Sequence, residues 1–185
     1  MLLAVLLLVS SLIGSCTCPS SYDIATIRKV DGTWEPASNG GLVDKDLAII
    51  GSIDLVSEER QYVCRARYGD QMLPGKLDLS QRTCYIPYDG YEHANSTYEV
   101  LLNRDGYNLK WVSSSNGQFP RGSVIGGYST GWPMFICRVK LRDVRGVQRY
   151  VSGKLDPEPK FESCYVPYDG SEKRFKEYQV LTNLM

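Results

Sequence analysis

Six cysteines and a single histidine are the residues best suited to covalent or proton-transfer chemistry in this sequence. Cys16, Cys18, Cys64, Cys84, Cys137 and Cys164 form an even set, which in an oxidising compartment suggests disulfides. Zinc is not expected, because no Cys-x-x-Cys pair exists and His93 is the only imidazole. The same scarcity argues against nucleophilic catalysis. Nothing places a serine and an aspartate beside His93, and the chain has no phosphate loop, no Gly-x-Gly-x-x-Gly and no His-Glu-x-x-His. Paired carboxylates could in principle hydrolyse a glycoside, but such enzymes usually need a larger scaffold to hold the sugar on both sides. The expectation is a protein that is not an enzyme and uses no cofactor and no metal.

The elements that must position the remaining polar groups are strands. The chain of 185 residues carries 13 Tyr, 17 Gly and 9 Pro, a composition that favours short strands and many turns over long helices. Lys plus Arg equals Asp plus Glu at 21 each, so no basic excess exists to neutralise phosphates and nucleic acid is not an expected partner. Residues 1–15 are an apolar run ending in small residues. The run is too short to span a bilayer, which takes about 20 residues, and it reads as a secretory signal peptide. Stable membrane insertion is therefore not expected, and the protein is expected to be secreted. Asn95-Ser96-Thr97 is an N-glycosylation acceptor pattern, which fits a surface loop of a secreted glycoprotein.

An internal repeat organises the chain. Cys84-Tyr-Ile-Pro-Tyr-Asp-Gly90 recurs as Cys164-Tyr-Val-Pro-Tyr-Asp-Gly170, and Gly75-Lys-Leu-Asp78 recurs as Gly153-Lys-Leu-Asp156. Tyr98-Glu-Val-Leu-Leu-Asn103 returns as Tyr178-Gln-Val-Leu-Thr-Asn183. Trp34, Ile50-Gly51 and Cys64-Arg65 match Trp111, Ile125-Gly126 and Cys137-Arg138 in the same order. The copies run over 34–103 and 111–183, preceded by an N-terminal extension at 16–33, of which Pro19 to Gly32 is expected to add an edge strand. Two copies are too few for a stacked solenoid. The expected fold is all-β, with two homologous motifs packed with pseudo-two-fold symmetry.

Strand alternation agrees. Tyr62, Cys64, Ala66 and Tyr68 share one face, expected to be buried, and Val63, Arg65 and Arg67 share the other, expected to be basic. In the second copy Phe135, Cys137, Val139 and Leu141 oppose Met134, Ile136, Arg138 and Lys140. Arg65 and Arg138 are expected to pair with buried acids, Trp34 and Trp111 to sit in the core, and the Tyr-x-Pro-Tyr-Asp-Gly blocks to form strand ends and turns around Pro87 and Pro167. Because each copy holds both members, the simplest disulfides are Cys64–Cys84 and Cys137–Cys164. Four cysteines allow three connectivities, and buried free thiols are the alternative.

The repeated blocks resemble the DM9 motif. That pattern has a Trp, then Asn-Gly, a hydrophobic run with Gly-Gly, and a strand with an Arg. It continues with Pro-Gly-Lys and Cys-Tyr-Val-Pro-Tyr-x-Gly-x-Glu and ends in Tyr-Glu-Val-Leu. Here it is carried by Trp111 with Ser115-Asn116-Gly117 and Gly126-Gly127, by Pro74-Gly75-Lys76, and by Tyr98-Glu-Val-Leu101. The resemblance implies a β-rich tandem fold and a soluble lectin recognising mannose-type glycans in innate immunity. The sugar would lie in a cleft between the motifs, held by an acidic residue and a lysine. The matching positions are Asp54, Lys76 and Lys154; Ser129 stands where the second copy would carry its acid, which weakens or removes a second site. Members of the family also occur fused to pore-forming domains, and no stretch here is long enough to be one.

The chemistry is consistent with that implication. A carboxylate accepts from adjacent sugar hydroxyls, an ammonium donates to their lone pairs, and an aromatic ring covers the C–H face. Asp54, Lys76, Lys154 and the equivalently placed Glu92 and Glu172 supply the polar set, with Lys154 expected to meet Asp54 and Lys76 across the interface. One such site binds a monosaccharide weakly, so avidity would come from two sites or a homodimer. The competing readings are a structural or protein-interaction module without sugar binding, and a small hydrolase.

Overall fold

The computed structural model describes Val30 and residues 32–39, 41, 44–143 and 146–184. The expected signal peptide, most of the extension, and Cys16 and Cys18 lie outside the described residues. Each copy supplies seven strands among the described residues. The first has β1 (Thr33–Ser38), β2 (Ile50–Asp54), β3 (Arg60–Tyr68), β4 (Gln71–Asp78), β5 (Thr83–Tyr88), β6 (Tyr91–Asn95) and β7 (Thr97–Leu102). The second has β8 (Leu109–Ser115), β9 (Ile125–Ser129), β10 (Trp132–Arg142), β11 (Gln148–Asp156), β12 (Ser163–Tyr168), β13 (Ser171–Phe175) and β14 (Glu177–Asn183).

The protein is all-β, and its strand order is the pseudo-two-fold in topological form. The order β1-β7-β3-β2-β11-β12-β13-β6-β5-β4-β9-β10-β14-β8 reads the same backwards once each strand is exchanged for its counterpart in the other copy. Additional pairings β3–β4 and β10–β11 close β2, β3, β4, β9, β10 and β11 into a barrel, with the other strands attached around it. Closure depends on both copies, because β2 pairs with β11 at Asp54↔Arg149 and β4 pairs with β9 at Met72↔Tyr128. At the far side of the axis the hairpins β5–β6 and β12–β13 meet at Tyr91↔Ser171.

Turn chemistry sets those hairpins. Asp89 and Gly90 both have positive φ (49° and 82°), as do Asp169 and Gly170 (53° and 71°). That is the two-residue turn whose twist suits a hairpin, and Asp-Gly is among the sequences that adopt it most readily. Pro87 and Pro167 lie within β5 and β12 rather than merely at strand ends. The β4 ladder stops at Lys76↔Tyr85, so the edge of β5 beyond it asks no N–H of Pro87.

Each copy has its own core, and a third cluster joins them. Val63, Leu101, Val124, Ile136 and Leu181 pack together with Ile49, Trp34 and Trp111. These are matched pairs: Val63 with Ile136, Leu101 with Leu181, Ile49 with Val124, Trp34 with Trp111. Full burial of each aliphatic member contributes about 1.5–3 kcal/mol, so this cluster ties the copies together through apolar burial as well as through strand pairing. This cluster corrects the expected face pattern of β3 and β10. Val63, Met134 and Ile136 are fully buried on the face expected to be basic, while Tyr68 and Leu141 are not part of the buried set. The central stretches of these strands, Tyr62–Cys64 and Pro133–Cys137, are covered on both sides by the barrel, and the ends carrying Arg67 and Lys140 reach water.

Of the extension, the described residues show Val30 in a parallel bridge to Val124 and Thr33 opening β1 opposite Leu102. Cys64–Cys84 and Cys137–Cys164 are disulfides, with Cα separations of 6.1 and 6.0 Å. Each links β3 or β10 to β5 or β12. In the ladder Cys64 faces Gly75 and Cys137 faces Gly153. A Cβ at either glycine would lie 2.0 Å from the carbonyl oxygen of Tyr85 or Tyr165. Only hydrogen leaves room there for the next strand to fold over.

Candidate functional site

Two depressions flank the β5–β6/β12–β13 junction, one for each copy, and the sequence-expected residues divide between them. The first pocket, of about 90 Å³, is lined by Asp54 and Lys76 from one copy and by Arg149, Tyr150 and Tyr168 from the other. The second, of about 390 Å³, includes Lys154, Glu172 and Ser129 from one copy and Tyr88 from the other. Asp54 and Lys76 therefore line one pocket at the interface, but Lys154 does not join them. It lies in the opposite pocket, because the two-fold places equivalent strands on opposite sides of the barrel.

In the first pocket the end of β2 sets Asp54. Its Oδ1 accepts from the backbone N–H groups of Val56 (2.9 Å) and Ser57 (3.1 Å), and Oδ2 lies 3.3 Å from Arg149. The Ser57 and Val56 N–H groups, more than Arg149, hold its carboxyl below the usual range, with burial opposing them. Asp54 thus stays an ionised acceptor at neutral pH. Lys76 on β4 reaches Glu92 at 3.0 Å and lies within 6 Å of the ring centres of Tyr85 and Tyr168, at 5.6 and 5.9 Å. The rings and the carboxylate fix the ammonium, which still has donors to give.

The second pocket repeats this frame. Lys154 lies 3.1 Å from Glu172, with the Tyr88 and Tyr165 rings at 4.9 and 5.4 Å. Both lysines sit in strands with little exposed side chain, and neither is a solvated turn residue. Glu92 and Glu172 also clasp the copies together. Glu92 Oε2 accepts the Gly170 N–H at 2.8 Å, and Glu172 Oε2 accepts the Gly90 N–H at 2.9 Å. Each glutamate therefore holds its own lysine with one oxygen and the partner hairpin's turn with the other.

The sequence reading missed Arg149 and Tyr168 in the first pocket, and Asp156 and Phe161 in the second. Tyr168 and Asp156 belong to repeated blocks, so a signal existed. Arg149 has none, because its counterpart is Gln71. Elsewhere, Arg65 pairs with Glu99 and lies 4.2 Å over the Trp34 ring, as expected of a structural arginine. Arg138 has no acid. It donates to Gln179 at 2.8 Å and is stacked against Trp111 and Tyr150, and burial pulls its pKa down to about 10. Asn95 ends β6, with Nδ2 donating to the His93 carbonyl at 3.2 Å, beside a groove of about 470 Å³.

Comparison with known proteins agrees with this architecture. The chain is similar to natterin-3 of Thalassophryne nattereri, at 30% identity over 100 residues, 54% of this chain and 23% of the relative. It is also similar to natterin-1 of the same organism, at 28% identity over 144 residues, 77% of this chain and 36% of the relative. It thus spans only about a quarter to a third of the curated relatives it matches. Among solved structures, the nematode sperm cell motility protein MFP2B matches with a TM-score of 0.54 at 15% identity, over 84% of this chain and 45% of that one, a likeness of fold alone. The model of the DM9 repeat matches residues 55–147, from the turn after β2 in the first copy to the β10–β11 turn in the second. This chain belongs to the DM9 repeat family.

Proposed function

We propose that this protein is a secreted, non-catalytic carbohydrate-binding protein that recognises mannose-type glycans on microbial or dietary surfaces, with its primary site in the first pocket. The observation that carries the reading is the meeting of Asp54 and Lys76 with Arg149 and Tyr168 from the opposite copy. Vicinal hydroxyls both donate and accept. An ionised Asp54 accepts hydrogen bonds from them, Lys76 and Arg149 donate to their lone pairs, and the Tyr168 ring lies against the C–H face. Each net contact is worth about 0.5–1.5 kcal/mol, so one site binds a monosaccharide at roughly millimolar Kd, near −4 kcal/mol. Useful affinity then comes from a second site or from a homodimer. Two disulfides suit an oxidising, extracellular setting, where Asn95 would carry its glycan.

A protein-interaction module is the second reading. It draws on exposed Leu55 and Val56 in the turn after Asp54, and on the Tyr68, His93 and Tyr91 rings grouped on one copy only. A glycan array of the mature protein beside Lys76→Ala separates the two. Mannose-type signal that drops at least tenfold in the variant supports the lectin site. Signal that survives keeps the lectin and moves its site, and no signal at high glycan density leaves the interaction module standing.

A further inference from the structure

The second pocket is not a faded copy of the first. Ser129 replaces the acid at the end of β9, but another carboxylate has been released nearby. In the first copy Asp78 is consumed by its own turn. Its Oδ1 accepts from Ser80 N (2.9 Å), Ser80 Oγ (2.7 Å) and Gln81 N (3.2 Å), and Oδ2 accepts from Gln61 (3.0 Å). Among the described residues the equivalent Asp156 accepts from the Glu158 N–H alone (3.0 Å), and it lines the pocket.

Two sequence differences account for this. The counterpart of Gln61 is Met134, which is fully buried and has nothing to donate. The β11–β12 loop, 157–162, is also longer than the β4–β5 loop, 79–82, and begins Pro-Glu-Pro where the other begins Leu-Ser-Gln. That rewrites the turn which would have occupied Asp156. It also brings Phe161 to the wall, 6.3 Å edge-on from Tyr165, where Arg174 pins its carbonyl at 2.6 Å. The cavity that results is about 390 Å³ against about 90 Å³.

We infer that the second pocket is a glycan-binding site in its own right, in which Asp156 replaces the missing acid as hydroxyl acceptor, Lys154 donates, and Phe161 and Tyr88 supply ring faces. The inference rests on the carbohydrate reading given above and extends it. The two pockets then differ in chemistry. The first is tight and ion-paired and suits a single sugar residue. The second is wider and more aromatic and suits a neutral pyranoside carrying a further substituent, such as the next residue of a chain. A burial of 94% for the Asp156 residue, whose exposure is 6%, explains why the pocket must supply a hydroxyl or a water rather than leave the group bare.

The test uses the full mature chain on one array of neutral glycans, with wild type, Lys76→Ala, Asp156→Asn and the double variant. Asp156→Asn keeps the shape of the side chain, and Phe161→Ala serves as a second probe of the same pocket. Support would be a set of glycans still bound by Lys76→Ala, weakened at least tenfold by adding Asp156→Asn or Phe161→Ala, with thermal melting showing each variant folded. If folded Lys76→Ala loses every signal that wild type gives, or if Asp156→Asn and Phe161→Ala leave the array unchanged, the second site is overturned while the lectin reading stands. If wild type binds no glycan, the lectin reading itself falls, and this inference with it.

Discussion

The two copies share a frame and differ in charge, and the differences come in coupled sets. At the end of β2 the first copy has Asp54 paired with Arg149. At the equivalent place the second has Ser129 donating to Gln71, a neutral pair across the same interface. Behind the barrel, Arg65 faces Glu99 in one copy, whereas Arg138 faces Gln179 in the other. In the first case both partners changed, so no charge is stranded. In the second only the acid was lost, and the guanidinium is kept by stacking between Trp111 and Tyr150. Removing one member of a buried ion pair is costly unless something else solvates the remaining charge, and here two aromatic faces do so.

This comparison can be broken where the copies agree and sharpened where they differ. The largest effects should be symmetric. Gly75→Ala and Gly153→Ala each force a methyl onto a carbonyl oxygen, and each should cost about 4 kcal/mol or prevent folding, read by urea denaturation. A marked difference between them would show that one copy dominates the fold. Next, replacing either disulfide by two alanines should cost about 3 kcal/mol, given loops of 20 and 27 residues. Equally lowered urea midpoints are expected for the two variants, and chemical reduction of the wild type, which breaks both bridges, should lower the midpoint further.

The asymmetric positions give smaller effects of opposite sign. Glu99→Gln should cost about 1 kcal/mol by leaving Arg65 without its acid, while Gln179→Glu should add about that much by giving Arg138 one. A thermal-melt pair in which both variants destabilise would refute the idea that the second copy merely lost a partner.

The acids at the ends of β4 and β11 should part company with pH. Asp78 is held below the ordinary aspartate value of 3.8: burial, the largest influence, raises it, but the Ser80, Gln81 and Gln61 hydrogen bonds outweigh that. Its stabilisation is present above 3.8 and is lost as pH falls through its lowered folded pKa. Asp78→Asn should therefore cost stability at neutral pH and cost little in strong acid. Burial raises Asp156 above 3.8, against the Glu158 N–H and Lys154. The wild type carries that penalty in full at neutral pH and sheds it as pH falls through the raised folded value towards 3.8. Asp156→Asn should thus raise the melting temperature at pH 7, with the gain shrinking on acidification. A variant that gains stability while losing binding is what a residue kept for a ligand should give.

Much of the fold was legible because repetition is visible without coordinates. Cys64, Cys84 and their counterparts recur in register, so one bridge per copy was the simplest pairing. Asp-Gly turns and period-two alternation marked strands. The candidate site was legible in part: Asp54 and Lys76 stand on neighbouring blocks and do meet in one pocket. What alternation could not reveal was that Val63 and Ile136 are buried on the face that also carries arginines, since burial there comes from the other copy. Nor could spacing distinguish Asp78 from Asp156, identical in their blocks, because the difference lies in Gln61 against Met134, from a strand not adjacent in sequence.

The amino-acid sequence by itself determined two copies, strands with turns of the Asp-Gly kind, and a charge balance that disfavours nucleic acid. These are local or periodic properties, set by the φ a residue tolerates and by which side chains alternate. Only the tertiary structure decided that the copies close one barrel, that each pocket takes its lysine from one copy and a tyrosine from the other, and that Lys154 is separated from Asp54. Those outcomes follow from the pseudo-two-fold, which carries equivalent residues to opposite sides of the barrel and assembles each pocket from non-equivalent ones.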